Sequence, residues 1–501
     1  MTLADHLAVL PVLLPLLAAP ICVLLPRGNL PWAFATLIAW LSFWAAAALL
    51  VQVRSVDVVD YALGGWPAPL GIVYRIDVLG ALVMALISGI AAAVLPFARQ
   101  SLARETSAVQ SSHIYGMILV SVAGLLGVVA TGDAFNLFVF LEISSLSTYT
   151  LVAMGARQDR RALTAAFTYL VLGTIGATFF VIGIGLLYQA TGTLNMIDLH
   201  ERLSGQDDRV VRAGFAFVVT GLALKLAMFP MHRWLPDAYT FAPSVVTAIL
   251  AATSTKAAIY ALMRFLFTVF GFTFPFLETA LFLLMAFGLA GMVIASLIAV
   301  FRDDVKQILA FSSVAQVGYM LLGISIATSD GVSASIVHVF NHALMKAALF
   351  MAVGAVFYAV GSHRIAAYRG LFKTMPFTAC CFISAGLSLI GVPFTAGFVS
   401  KYVLIEAALA ATLPVPSLLL VGFVVVSSLI AVAYVGRVAY AILLDPPPEN
   451  QVKIRSSVPL GMLIPMGLMT FANLYVGFDA EGLIALADHA ADILTREGLG
   501  R

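Results

Sequence analysis

Apolar residues run along this chain in long stretches separated by short polar or turn-rich breaks. The stretches fall at 7–26, 31–52, 77–98, 114–131, 133–154, 162–190, 210–229, 244–271, 275–300, 305–328, 331–361, 376–406, 415–443 and 456–477. A helical bilayer crossing takes roughly 20 mostly apolar residues. The pattern therefore predicts an all-α polytopic membrane protein of about 14 transmembrane helices. The stretches at 331–361 and 376–406 exceed one straight crossing, so tilt or an interrupted helix is expected there. The loops at 53–76 and 191–209 are too short for a second globular domain, and 1–501 reads as a single integral membrane domain. The tail EGLIALADHAADIL reads as a short helix with no further crossing.

Loop charge orients these crossings. Loops after odd-numbered stretches carry Arg27, Arg99, Arg104, Arg157, Arg160, Arg161, Arg233, Arg302, Lys306, Arg364, Arg369, Lys373, Arg437, Lys453 and Arg455. Loops after even-numbered stretches carry far fewer: Arg54, Arg75, Arg202, Arg209 and Arg212. Basic residues stay on the cytoplasmic side. Odd loops are thus expected in the cytoplasm of a cell (inner) membrane protein, with both termini outside. A miscount by one would destroy the alternation. No Lys or Arg precedes the first stretch, so it reads as a retained span and not a cleaved signal peptide.

Composition agrees with this solvent. Hydrophobic residues make up 62% of the 501, and charged residues only 10%, against roughly 25% in soluble domains. A net charge of +2 gives no reason to expect a nucleic-acid partner. Cys22, Cys380 and Cys381 lack metal-ligand spacing, so no disulfide, zinc site or cluster is expected. Gly173, Gly176, Gly183 and Gly185 sit inside an apolar stretch, where close helix packing explains them better than phosphate binding. No cofactor-binding motif is found.

The chemistry lies in charges placed where lipid should be. A Lys or Asp at the centre of a membrane helix costs about 2.5–3.5 kcal/mol on insertion scales, so such residues pair, face water or line an ion path. Glu142 lies mid-stretch, followed by Ser144, Ser145, Ser147 and Thr148. It is either one member of a charge pair or a protonated tie between helices. Lys225 stands five residues before Pro230, which cannot donate to the helix. It marks a broken helix beside a charge, as in transporter sites, or snorkels to the edge. Lys256 lies deep among Thr253, Ser254 and Thr255, as part of an ion path or a structural ion pair. His338, His342 and Lys346 recur every fourth residue, which lines them along one helix face over about 12 Å. They read as a proton relay, as packed histidines, or as a metal pair lacking nearby Asp, Glu or Cys. Lys401 follows Gly391, Pro393 and Gly397, a second interrupted helix carrying a buried Lys. Glu406 reads as an exposed helix-end charge and Asp133 as an N-cap. The Arg157–Arg161 group reads as a topological anchor. Arg264 and Arg437 read as snorkelling span-end residues. His232 and Asp237 fall in a loop, where they gather protons or are simply solvated.

Three segments carry a family resemblance. KLAMFPMHRWLPDAYTFAPSVVTAILAATSTKAAIY at 225–260 resembles the hallmark of the proton-conducting antiporter family, and GDAFNLFVFLEISSLSTY and HVFNHALMKAALF also fit. That family includes antiporter-like subunits of respiratory complex I and of membrane-bound hydrogenases, and large subunits of Mrp-type antiporters. LPVLLPLLAAPICVLL and GGWPAPLGI are most similar to the D subunit of the Mrp type. The resemblance implies two inverted five-helix repeats, each with a broken helix. Helices 4–8 at 114–271 would form the first half-channel and helices 9–13 at 272–443 the second. Helices 1–3 would occupy 1–113, and helix 14 with a short tail 444–501. It further implies that Glu142 and Lys225 pair in the first half. Lys256 then leads toward the centre, His338, His342 and Lys346 continue the path, and Lys401 ends it. The implied function is a proton-translocating subunit of a multi-subunit Na+/H+ antiporter. The alternative is a non-redox proton-pumping subunit of an NADH:quinone oxidoreductase or hydrogenase type complex. Either way, its partners would be other subunits, protons, the bilayer and, for the antiporter, Na+. The chain ends soon after span 14, which argues against the largest complex I antiporter-like subunit.

Overall fold

A computed structural model describes residues 6–26, 28–206, 208–446 and 457–497. Arg27, Lys453 and Arg455, and most of the proline-rich segment 445–455, lie outside the described residues.

The chain crosses first as α1 (Leu10–Leu24), α2 (Leu30–Val56) and α3 (Val78–Glu105), then as α4 (Ala108–Ala130), α5 (Ala134–Ala153) and α6 (Arg161–Thr191). A short α7 (Met196–Leu203) lies in the following connection. The seventh crossing is split into α8 (Arg209–Lys225) and α9 (Trp234–Phe241), and the eighth is α10 (Ser244–Met263) with a π-helical extension, Arg264–Phe270. Next come α11 (Leu277–Val300), α12 (Val305–Ile326) and α13 (Ser329–Val360), then a single turn, α14 (Leu371–Thr374). The twelfth crossing is split into α15 (Pro376–Ile390) and α16 (Ala396–Ala410), followed by α17 (Ser417–Leu443), α18 (Leu460–Phe478) and a tail helix α19 (Glu481–Glu497). Among the described residues, 11 helices are long and apolar enough to cross a membrane. Together with the shorter α1 and the two split pairs they account for all fourteen expected crossings.

Of the two over-long stretches, 331–361 is one unbroken helix of 32 residues, whereas 376–406 is interrupted. The helix ends are set by local chemistry. Asp133 caps α5 by accepting from the Asn136 N–H at 2.7 Å, and Asp304 caps α12 in the same way. Close approach explains glycines of α6 against α8. A Cβ on Gly183 would stand 2.8 Å from the Gly214 carbonyl, and one on Gly221 2.6 Å from that of Gly176. Gly185 meets nothing within 4 Å, so packing does not explain it.

The 53–76 connection is not a plain loop. Strands β1 (Val58–Ala62) and β2 (Val73–Asp77) form an antiparallel hairpin with Asp60 opposite Arg75. Single bridges tie Tyr74 to Thr131 and Asp133 to Asn195, so three connections close over one face. His6 meets Tyr61 of the hairpin and His489 meets Asp57, which puts both ends of the described chain on that face. The most basic connections lie on the opposite face. On the hairpin face, α19 differs from a free tail. Ala487, Ala490, Ala491 and Leu494 are buried against α13 and α3, and Asp492 and Asp488 accept from the Ser329 and Ser333 hydroxyls at the start of α13, each at 2.5 Å.

α10, α12 and α13 form the interior, with α12 wholly enclosed. α2, α6, α17 and α18 instead present large apolar side chains outward, among them Trp44, Phe167, Leu429 and Phe471. That inversion is what a hydrocarbon solvent requires.

Candidate functional site

Two interrupted helices place the first and last lysines. In the first, α8 ends at Lys225 and the chain turns before α9 begins. A helix end leaves carbonyls without partners, and here the Trp234 indole N–H donates to the Leu224 carbonyl at 3.0 Å. Trp234 is itself fixed by stacking on Tyr169 at 4.0 Å. The Lys225 ammonium is left to face α5. It donates to Glu142 Oε1 at 2.9 Å and to the Ser145 hydroxyl at 2.7 Å. The Lys225 side chain is 7% exposed and that of Glu142 22%, so the carboxylate is the more accessible partner. Of the hydroxyls that follow Glu142 in α5, only Ser145 reaches the pair. Ser144, Ser147 and Thr148 bond back to their own helix.

The second interruption is built differently. Gly391 closes α15 with φ +93°, a conformation that L side chains rarely adopt, and a Cβ there would stand 2.9 Å from Lys401 Cδ. Pro393 lies in the turn that follows, and α16 restarts at Ala396. Ser388 and Asn341 staple the turn. The Ser388 hydroxyl accepts from the Gly397 N–H and donates to Asn473, and the Asn341 amide donates to the Ala396 carbonyl at 2.7 Å. The Lys401 ammonium donates to the unpaired carbonyls of Leu389 and Ile390, at 3.1 and 2.7 Å, and to the Ser428 hydroxyl at 2.9 Å. It also lies 4.9 Å from the Tyr319 ring centre. Among the described residues no carboxylate pairs with it.

Between these ends, Lys256, His338, His342 and Lys346 are completely enclosed. Lys256 donates to the Ala251 carbonyl at 2.6 Å and to Thr255 at 3.2 Å. Lys346 donates to the Leu309 carbonyl at 2.8 Å and to Ser312 at 2.6 Å. The two imidazoles lie parallel, 6.1 Å apart. His338 Nδ1 meets the Ser400 hydroxyl at 2.9 Å, and its ring stacks over Tyr319 at 5.3 Å. Ser400 and Tyr319 thus join His338 to the Lys401 environment. His338 Nε2 and both nitrogens of His342 have no partner among the described residues. Buried polar atoms are normally satisfied by protein or water, so these three mark where water would enter the file. No hydrogen bond among the described residues links Lys225 to Lys256 or Lys256 to Lys346.

Several residues stand elsewhere than the sequence suggests. His232, Arg233 and Asp237 are not in a loop that ends the crossing. The turn after Lys225 interrupts the helix and α9 resumes it, carrying Asp237 in its first turn. Arg264 does not snorkel. It is buried, and its guanidinium donates to Asp77 and to the Tyr260 hydroxyl. The partner stands 187 positions away, beyond the reach of local pattern. Arg437, 40% exposed in the side chain, pairs with Asp303. Glu406 is exposed. Sequence reasoning misses Tyr319, Asn341, Ser388, Ser400 and Ser428, although Asn341 lies inside the segment HVFNHALMK. Polar residues in buried crossings are the signal that could have found them.

The family described as NADH:quinone oxidoreductase/Mrp antiporter, TM matches residues 131–431, which contain every lysine and histidine of the file. The NADH-quinone oxidoreductase N subunit of Desulforudis audaxviator is 38% identical over 96% of this chain and 98% of its own. The Na(+)/H(+) antiporter D subunit of Alkalihalophilus pseudofirmus is 32% identical over 81% of each. Among solved structures, a chain of the archaeal membrane-bound sulfane sulfur reductase superposes with a TM-score of 0.89 at 31% identity, covering 99% of this chain and 98% of that one. A chain of the Mrp complex from Dietzia sp. superposes at 0.88 and 28% identity with the same coverage.

Proposed function

Because the chain belongs to the NADH:quinone oxidoreductase/Mrp antiporter transmembrane family, we propose that it is the proton-translocating subunit of a multi-subunit Na+/H+ antiporter. The proton path runs through Glu142, Lys225, Lys256, His338, His342, Lys346 and Lys401. The observation that carries this reading is the Lys225–Glu142 pair at the end of a broken helix, 2.9 Å long and partly accessible through the carboxylate. A nearby carboxylate favours the charged ammonium, and desolvation disfavours it. Separating Glu142 from Lys225 therefore expels a proton from Lys225, and bringing them together reloads it. The released proton moves inward through water between Lys256, Lys346 and the histidines and leaves at Lys401. The halves 114–271 and 272–443 act as entry and exit half-channels. The basic face is cytoplasmic and the hairpin face, with both termini, is outside.

The test is Glu142→Ala and Lys225→Ala in the assembled complex, assayed as cation-driven proton exchange in everted vesicles. Loss of exchange is expected, and unchanged exchange overturns the reading. A second reading is favoured by the 38% identity to a chain of an NADH-quinone oxidoreductase. In it the same path serves a redox-driven pump, with electron-carrying chains as neighbours. Identifying the subunits that co-purify decides between the two. Small antiporter subunits support the first, and iron–sulfur or nickel subunits the second.

A further inference from the structure

A cavity of about 270 Å³ opens on the basic face where the two halves of the molecule meet. It is lined by Glu105, Asp159, Arg161, Lys306 and His363 and by the backbone of the corner between α9 and α10. At roughly 30 Å³ per water it has room for several, and its lining is mostly polar. None of these residues belongs to the proton path proposed above. We propose that this cavity is a second proton intake, in which Lys306 passes one proton to Lys346 in every cycle alongside the proton loaded at the Glu142–Lys225 pair, so that neither intake substitutes for the other. The inference rests on the reading of the chain as a proton-translocating subunit.

Lys306 is only 2% exposed, and no carboxylate among the described residues forms an ion pair with it. Its ammonium donates to the Ala242 carbonyl at 2.6 Å, in the cavity wall. Glu105 stands on the other side of that corner with both oxygens held, by the Ser101 hydroxyl at 2.7 Å and the Ser244 N–H at 2.8 Å. A structural lysine in such a place would be expected to lie on that carboxylate. Lys306 instead takes the Ala242 backbone carbonyl in the cavity wall, with the charges of Glu105 and Asp304 acting on it from beyond ion-pair distance. Inward from it, α12 leads directly to the file. The Leu309 carbonyl, one turn further along, accepts from both Lys346 Nζ at 2.8 Å and the Ser313 hydroxyl at 3.1 Å. The Ser312 hydroxyl meets the same ammonium. Three residues of helix advance roughly 4.5 Å, and since helix side chains lean back toward the N-terminus, the transfer from Lys306 to Lys346 runs through bridging water. At the mouth, His363 Nδ1 is buried with no partner among the described residues. Burial, and after it the charge of Lys306, hold that imidazole well below its usual range, so it stays neutral and can accept. In each cycle one proton enters from water onto a neutral Lys306 amine and leaves it toward Lys346, with no other bond changed.

The experiment uses the assembled complex in everted vesicles, where the basic face meets the medium. Lys306→Cys should lower cation-driven proton exchange about tenfold, the low end of what one proton-transfer group supplies. Alkylation with 2-bromoethylamine rebuilds an amine of lysine length and should restore most of it, whereas iodoacetamide should not. The rebuilt amine is a weaker base than lysine, so the pH profile should move to the acid side, which a merely structural contact would not do. Wild type treated with the same reagents controls for Cys22, Cys380 and Cys381. Unchanged exchange in Lys306→Cys overturns the proposal. So does a loss that aminoethylation fails to restore, or failure of both Lys306→Cys and Lys306→Met to assemble, which assigns Lys306 to the fold. Lys225→Ala measured beside them reports on the main reading alone, so the two can fail separately.

Discussion

The two interrupted crossings both break a helix beside a lysine and reach opposite electrostatic solutions. At the first, the Leu224 carbonyl at the break is taken by the Trp234 indole and the Ala227 N–H, and Lys225 depends on a carboxylate. At the second, no other side chain among the described residues takes the Leu389 and Ile390 carbonyls, and Lys401 takes them itself, with Ser428 as third partner. What stabilises each ammonium is thus decided by what else claims the end of the broken helix. An ion pair can be opened and closed, so the first site is suited to switching. A cage of carbonyl dipoles is fixed, so the second is suited to holding or passing on whatever arrives.

The largest test of this contrast removes the charge from the first site and keeps its shape. Glu142→Gln should cut exchange by about two orders of magnitude, because Lys225 loses the partner that sets its proton affinity. Retained exchange would erase the distinction between the sites. Lys401→Ala should cost about tenfold in the same assay, since the cage has no partner charge to strand. Gly391→Ala comes next. It forces a side chain onto φ +93° and against Lys401, at a cost of order 1–3 kcal/mol, read as a lower melting temperature of the purified complex with reduced exchange. The smallest effects belong to the hydroxyls. Ser428→Ala should slow exchange several-fold, because the Leu389 and Ile390 carbonyls still hold the Lys401 ammonium when the hydroxyl is gone. Ser145→Ala should do less, because Glu142 remains to hold Lys225. Equal losses from the two serines would mean that Glu142 is not the dominant partner.

The fold was legible wherever apolar runs are long and the breaks carry charge. That is why all fourteen crossings could be counted, even the two that no single long helix fills. The i, i+4 spacing of His338, His342 and Lys346 was legible for the same reason, since helix geometry is local. What escaped was non-local. The partner of Arg264 is Asp77, at the end of the distant strand β2, so a buried ion pair looked like an isolated span-end charge. Glu105 and Lys306 sit at helix ends, where loop charges and cavity linings read alike in sequence. The hairpin at 58–77 passed for a loop because its strands are only five residues long and only the second is buried. Tyr319 and Ser400 look like ordinary helix residues until α12, α13 and α16 are packed together.

Anyone shortening this chain after its final crossing would remove more than a tail. The two aspartates of α19 clasp the first turn of the helix that carries both interior histidines. The last seventeen helical residues thus serve as an outer bracket for the most deeply enclosed part of the molecule. A reporter or affinity handle belongs beyond that bracket, on the hairpin's side of the protein, and not in place of it.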